Sequence, residues 1–145
     1  MRQLAIKRGA RWQPALILLA AWLVGGCGTP ETKLVEKEIS EFHTRIEGGR
    51  AAEVYADASP RFREVGTSAE FLAYIGAVHR KLGAMQGTER QVWRMDYNTA
   101  GKFASLGYKT RYERGTAYEQ FVYVVDSGRA LLVSYNINSP ELVTR

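Results

Sequence analysis

The hydrophobic pattern of this chain changes period once, at Gly87, and that change bounds the fold more tightly than any other feature. Before it, Val35, Ile39, Phe42 and Ile46 fall four, three and four residues apart, with Glu36, Lys37, Glu41 and Arg45 between them. That is the one-sided apolar stripe of a surface helix, and Gly48-Gly49 ends it. A shorter helical piece runs from about Arg50 to Ala58 and stops at Ser59-Pro60, because proline disfavours helix in the residue before it. Phe62 and Val65 then return to the core. Thr67-Ser68-Ala69-Glu70 reads as a capping box opening a third helix, whose stripe is Phe71, Ile75, Val78 and Leu82 and whose exit is Gly83. After Gly87 the alternation has a period of two. Strands are expected at 88–97, 103–113, 116–126 and 130–138, with Arg114-Gly115 and Ser127-Gly128 as hairpin turns. Helices followed by an antiparallel meander make an α+β domain.

The first residues carry an address. Arg2, Lys7, Arg8 and Arg11 precede the wholly apolar run from Ala15 to Val24, in the order of an export signal. The run is about half of the roughly 20 residues that span a bilayer. Val24-Gly25-Gly26-Cys27 resembles the lipobox cut by bacterial lipoprotein peptidase. That resemblance implies a diacylglycerol on the Cys27 sulfur and a further acyl chain, palmitate or similar, on its amine. Two chains already give stable anchoring. Gly28 stands where, by the family rule, an aspartate favours the inner membrane, so the outer membrane facing the periplasm is expected. The resulting division is a signal peptide over 1–26, an acylated cysteine and linker over 27–33, and one α+β domain over 34–145.

This division changes the meaning of the charge. The whole chain is +5, yet residues 27 to 145 hold 16 Lys and Arg against 15 Asp and Glu. A nearly neutral domain gives no electrostatic case for nucleic acid. With its single cysteine acylated, the chain has none left for a disulfide, a metal or nucleophilic work. Trp93 becomes the one tryptophan of the processed chain, expected at least partly buried in its strand.

Ile46-Glu47-Gly48-Gly49-Arg50-Ala51-Ala52, with Tyr55, Ser59 and Phe62, resembles the opening of nuclear-transport-factor-2-like domains, in which helices pack into a curved sheet of about four strands. Arg80-Lys81-Leu82-Gly83, with Tyr108, Thr110, Tyr112, Ala117, Glu119, Phe121, Tyr135 and Ile137, is similar to a small bacterial domain of unknown function found in exported proteins and lipoproteins. The wider superfold hosts isomerases, dehydratases and pure binding domains, so the resemblance implies a fold without choosing among them.

Pairing the strands across the two expected turns sorts the sheet into two faces. One carries Val122, Val124, Leu131, Val133, Tyr135 and Ile137, the expected seat of the helices. The other carries Tyr108, Thr110, Tyr112, Glu119, Phe121, Tyr123, Leu132, Ser134 and Asn136. Glu119 then lies opposite Thr110 on one side and Asn136 on the other. An acid among hydroxyls and aromatics suits a binding patch or a general base. The plainer reading is a hydrogen-bonded sheet residue. Asp96 is a second candidate base, though beside Arg94 it reads as an ion-paired strand residue. His43 and His79 have no second ligand at i+3 or i+4, so no metal site is expected. Glu53 and Asp57 read as a solvated face, and Arg61, Arg63, Arg80 and Lys81 as scattered charge. No cofactor motif is present.

These readings favour a non-enzymatic module, held to the membrane through Cys27, that presents a tyrosine-rich sheet face to an envelope protein or a small ligand. Self-association through that face is the simplest variant. The alternative is an enzyme of the superfold, an isomerase, dehydratase or hydrolase, with Glu119 or Asp96 as base.

Overall fold

The computed structural model describes residues 29–143, so the lipobox and Cys27 lie outside the described residues. The elements run α1 (Pro30–Glu47), α2 (Ala51–Asp57), α3 (Pro60–Val65), α4 (Ser68–Leu82), β1 (Met85–Asn98), β2 (Gly101–Tyr112), β3 (Gly115–Asp126), β4 (Arg129–Asn138) and α5 (Pro140–Val143). The four strands pair antiparallel in sequence order. Helices first and an antiparallel meander after them give the expected α+β arrangement. Among the described residues no helix is long and apolar enough to cross a membrane.

Local signals set most of these limits. Thr29 caps α1, its hydroxyl accepting from the Thr32 N–H at 3.3 Å, with Pro30 at the first helical position. The helix therefore starts earlier than the apolar spacing predicts, and only Gly28 and Thr29 separate it from Cys27. The capping box of α4 is present in full: Thr67 Oγ1 accepts from the Glu70 N–H at 3.2 Å, and the Glu70 carboxylate accepts from the Thr67 N–H at 2.7 Å. At the far end, Arg114 from the β2–β3 turn donates to the carbonyls of Lys81 and Arg80, at 2.9 and 2.6 Å. That turn holds Glu113 and Arg114, one position before the expected pair, since Tyr112 pairs with Gly115. The β3–β4 turn is Ser127-Gly128 as expected, both residues left-handed with φ of 49° and 74°.

Three expectations are corrected. Residues 60–65 form a helix, because Ser59 caps it by accepting from the Phe62 N–H at 3.3 Å and Pro60 fits its first position. That helix turns Phe62 inward and leaves Val65 87% exposed, so Val65 does not return to the core. The third correction concerns the sheet. The helices cover the face with Tyr108, Thr110, Tyr112, Glu119, Phe121, Tyr123 and Leu132, not the face with Val122 and Val124. That inner face also carries Ala104, Leu106, Ala117, Val125 and Ala130, so it holds more apolar surface than its five polar tips suggest.

A β-bulge completes the correction. Tyr123 pairs with Leu132 but Val122 pairs with Ser134, which leaves Val133 unpaired. Beyond it the register moves by one residue, and the rest of β4 changes sides. Tyr135 and Ile137 turn inward, while Ser134 and Asn136 turn out. The tyrosine-rich face is therefore the floor of the core, unavailable for self-association. The core has two parts. The larger joins Val35, Ile39 and Phe42 of α1 to Phe71 and Ile75 of α4 over Leu106, Phe121 and Leu132, with Trp93 packed at its margin. The smaller joins Val78 and Leu82 to Tyr112, Ala117 and Ile137.

Candidate functional site

Glu119 sits at the centre of β3 with no exposed surface. Its direct cross-strand partners are Tyr108 on β2 and Ile137 on β4. Thr110 is displaced two positions along β2 from the expected pairing, which keeps it on the same face. Asn136 is exposed on the far side and does not reach the acid.

Four donors meet the carboxylate. On Oε2, the His43 Nε2–H donates at 3.0 Å and the Thr110 hydroxyl makes a short hydrogen bond. On Oε1, the Tyr112 hydroxyl donates at 3.1 Å and the Tyr135 hydroxyl at 2.7 Å. A carboxylate has about four lone-pair positions, so this one is saturated. Since it only accepts, the hydrogen on His43 Nε2 is fixed by its partner. His43 reaches it from α1, one residue after the apolar stripe position Phe42 and 76 residues away in sequence. Aromatic rings close the space around the pair. Phe42, Phe121 and Tyr135 lie with centroids 4.7–5.1 Å apart, and His43 stands edge-on to Phe121 at 5.6 Å.

Burial alone pushes the Glu119 carboxyl up. The hydrogen bond and charge of His43, with the bonds from Thr110 and Tyr135, outweigh burial and hold it below the usual carboxylate range. Burial, then the charge of Glu119, pushes the hydroxyls of Tyr112 and Tyr135 far up, so both remain donors. A saturated carboxylate held in its charged form has neither a free lone pair nor the proton affinity a general base needs.

The other candidates are dispersed. Asp96 lies on the outer sheet face, where Arg94 donates to it at 2.9 Å. His79 is exposed on α4. Glu53 pairs with Arg50, and Asp57 pairs with Arg45 at 2.7 Å. Arg61 and Arg63 lie on α3, while Arg80 and Lys81 lie in the last turn of α4. Among the described residues no three His, Cys, Asp or Glu side chains gather as metal ligands would. Tyr108 and Tyr123 are buried on the inner face, and neither touches Glu119 through a hydrogen bond.

Beside the sealed cluster lies a cleft that sequence reasoning missed. Between α3, α4 and β4, a space of about 250 Å³ is lined by Tyr55, Phe62, Phe71, Tyr74, Val133 and Tyr135, among others. Tyr135 connects the two places, its ring in the cleft and its hydroxyl on Glu119. Tyr74 is the polar handle. Its oxygen accepts from the Ile137 N–H at 3.3 Å, so its own proton is left for another acceptor. The bulge at Val133 and the helical turn of α3 together shape this cleft, and neither has a period that a sequence pattern exposes.

No family model matches the chain, and no curated protein matches it. Among solved structures it is similar to a protein of Novosphingobium aromaticivorans DSM 12444 provisionally named a scytalone dehydratase, at 12% identity over 74% of this chain and 82% of that one, with a TM-score of 0.47.

Proposed function

We propose that this chain is a lipid-anchored, non-catalytic binding module of a bacterial envelope, on the periplasmic face of the outer membrane, whose ligand is a small apolar molecule held in the cleft over Tyr135. The observation that carries this reading is the contrast between the two places. The one buried carboxylate among the described residues is fully consumed by internal donors, while the adjacent cleft is open, largely aromatic and bordered by the Tyr74 hydroxyl, whose proton is uncommitted. Apolar walls with few directed polar groups are the usual make-up of a small-molecule site. The ligand is expected to carry an acceptor for the Tyr74 proton.

A fluorescence titration with the uncharged reporter N-phenyl-1-naphthylamine tests the cleft. Saturable binding is expected, and Val65→Trp, which narrows the cleft from its exposed rim on α3, is expected to weaken it about ten-fold or more. Unchanged binding in that variant would count against the site. The anchor is tested separately with an alkyne fatty acid fed to growing cells. Label should enter the wild type and not Cys27→Ala, and an unlabelled wild type removes the anchor from the reading.

One observation favours the enzyme alternative, in which Glu119 is the base of an isomerase, dehydratase or hydrolase. Tyr135 bridges the acid and the cleft, and a proton could pass through its hydroxyl. Tyr135→Phe separates the two readings. A binding module keeps its affinity for the reporter in that variant, whereas an enzyme relying on that relay loses turnover of whatever substrate it accepts.

A further inference from the structure

A second cavity, separate from the cleft, lies between α1, α2 and the inner sheet face. It is a well of about 40 Å³ walled by Phe42, Val54, Ala58 and Leu132, with Glu38 and Tyr123 among its lining residues. Tyr123 is 3% exposed and makes no hydrogen bond to any described residue, although its hydroxyl belongs to a buried side chain that borders this space. No solvent-shielded side-chain nitrogen or oxygen among the described residues lacks a partner, so the Tyr123 hydroxyl, which has none, is open to solvent on the side of the well.

The charges beside it leave one acid over. Lys37 pairs with Glu41 at 3.2 Å, Glu41 with Arg45 at 3.5 Å, and Arg45 with Asp57 at 2.7 Å, a ladder whose charges cancel. Glu38 stands outside it, partly buried and with neither a hydrogen bond nor an ion pair to the described residues. Burial, then the neighbouring charge of Glu41, raises its carboxyl, and the charges of Lys37 and Arg45 only partly offset this. The well opens into a wider groove of about 620 Å³ whose lining includes Leu34, Lys37, Arg63 and Arg129. There Arg63 is already oriented, its Nη1 donating to the carbonyls of Ala56 and Ala58 at 2.7 and 2.8 Å. Glu38, Glu41 and Asp57 line the well with Arg45, three carboxylates to one guanidinium, so the floor favours a cation, while Arg63 and Arg129 make the rim favour an anion.

We propose that this site binds a small zwitterion of the phosphoethanolamine kind, its primary ammonium in the well on Glu38 and Tyr123 and its anionic group on Arg63 and Arg129. Hydrogen bonding sets the selectivity: a primary ammonium donates to the Glu38 carboxylate and the Tyr123 oxygen, and a trimethylammonium has no N–H to donate. The aromatic walls of Phe42 and Tyr123 suit a cation with an apolar stem. Leu34 and Lys37 lie roughly 6 and 10 Å along α1 from Pro30, at 1.5 Å per residue. If Cys27 is acylated, as proposed above, the groove opens near the bilayer, and a lipid headgroup becomes one source of this chemistry.

The test is a titration of the full chain, purified in dodecyl maltoside, with phosphoethanolamine, followed by NMR shifts or calorimetry. Saturable binding is expected. Glu38→Gln, which keeps the shape and removes the charge, should weaken it at least about ten-fold, the scale of a lost charge-assisted hydrogen bond. Phosphocholine should bind correspondingly worse, and Tyr123→Phe should cost less than Glu38→Gln. No saturation at millimolar ligand, equal affinity for phosphocholine, or an unaffected Glu38→Gln with wild-type melting temperature would overturn the proposal. Repeating the titration in phosphatidylcholine nanodiscs, with and without phosphatidylethanolamine, identifies the source. A lipid headgroup ligand blocks the added zwitterion, and a free ligand does not notice the lipid. The detergent titration needs no acyl chain, so an unacylated Cys27 would remove the lipid source and leave the site intact.

Discussion

Glu119→Ala is expected to lower the unfolding free energy by about 3–5 kcal/mol, the range for removing one partner of a buried charged pair. The cost comes from what the acid leaves behind. His43, Thr110, Tyr112 and Tyr135 all point their donors at one carboxylate that water does not reach, and each loses its acceptor at once. Glu119→Gln separates charge from shape. It keeps one oxygen and turns an NH2 group toward two donors, so a loss of about 2 kcal/mol is expected. Urea unfolding of the three proteins measures both values. A loss below about 1 kcal/mol for Glu119→Ala would mean that the cluster is not the keystone its geometry implies.

The same acid gives stability a pH dependence whose sign follows from its shift. Its folded value lies below the ordinary 4.5, so the ionised form contributes stability that is fully present above that pH. The contribution is lost as pH falls through the folded value. Wild-type stability should therefore decline on the acid side of pH 4.5 more steeply than that of Glu119→Gln, which has no proton to take up.

Phe121→Ala is expected to cost about 3–5 kcal/mol through a different mechanism, the lost transfer of a large ring and the cavity it leaves. Phe121 is fully buried, and its ring meets those of Phe42, His43, Tyr108, Tyr123 and Tyr135. It wedges α1 against the sheet beside the His43–Glu119 contact. The two sites share neighbours, so their losses should combine non-additively in a double variant. Urea unfolding with full additivity, within about 0.5 kcal/mol, would show that ring packing and the carboxylate cluster act independently.

Much of the architecture was legible because local chemistry fixes it. The change of period at Gly87, the Thr67 capping box and the Ser127-Gly128 turn each depend on residues close in sequence, and each stands where the pattern places it. The sheet faces were not legible. Phe121, Tyr123 and Val125 alternate with Val122 and Val124, so both parities are apolar and the alternation cannot say which one the helices cover. The extra residue at Val133 then reverses the second half of β4, and a bulge leaves no mark in the pattern of hydrophobicity.

The candidate site was legible in part for the same reason. Glu119, Thr110 and Tyr112 share a face under any even shift of register, so their grouping survives the displaced β2–β3 pairing. Tyr135 joins them only through the bulge. His43 comes from a helix 76 residues away, and its position beside a stripe gives no hint of the partner. The short α3 was within reach, since Ser59 and Pro60 form a helix start, but six residues carry too little periodicity to call for one.

The most direct test of the sealed-core account is a carbon-detected NMR titration of the Glu119 side-chain carboxyl in the full chain. The account predicts a midpoint below 4.5, with the carboxylate ionised throughout the neutral range. A midpoint above that value, moving toward neutrality as a poised general base requires, would contradict it and favour the enzyme.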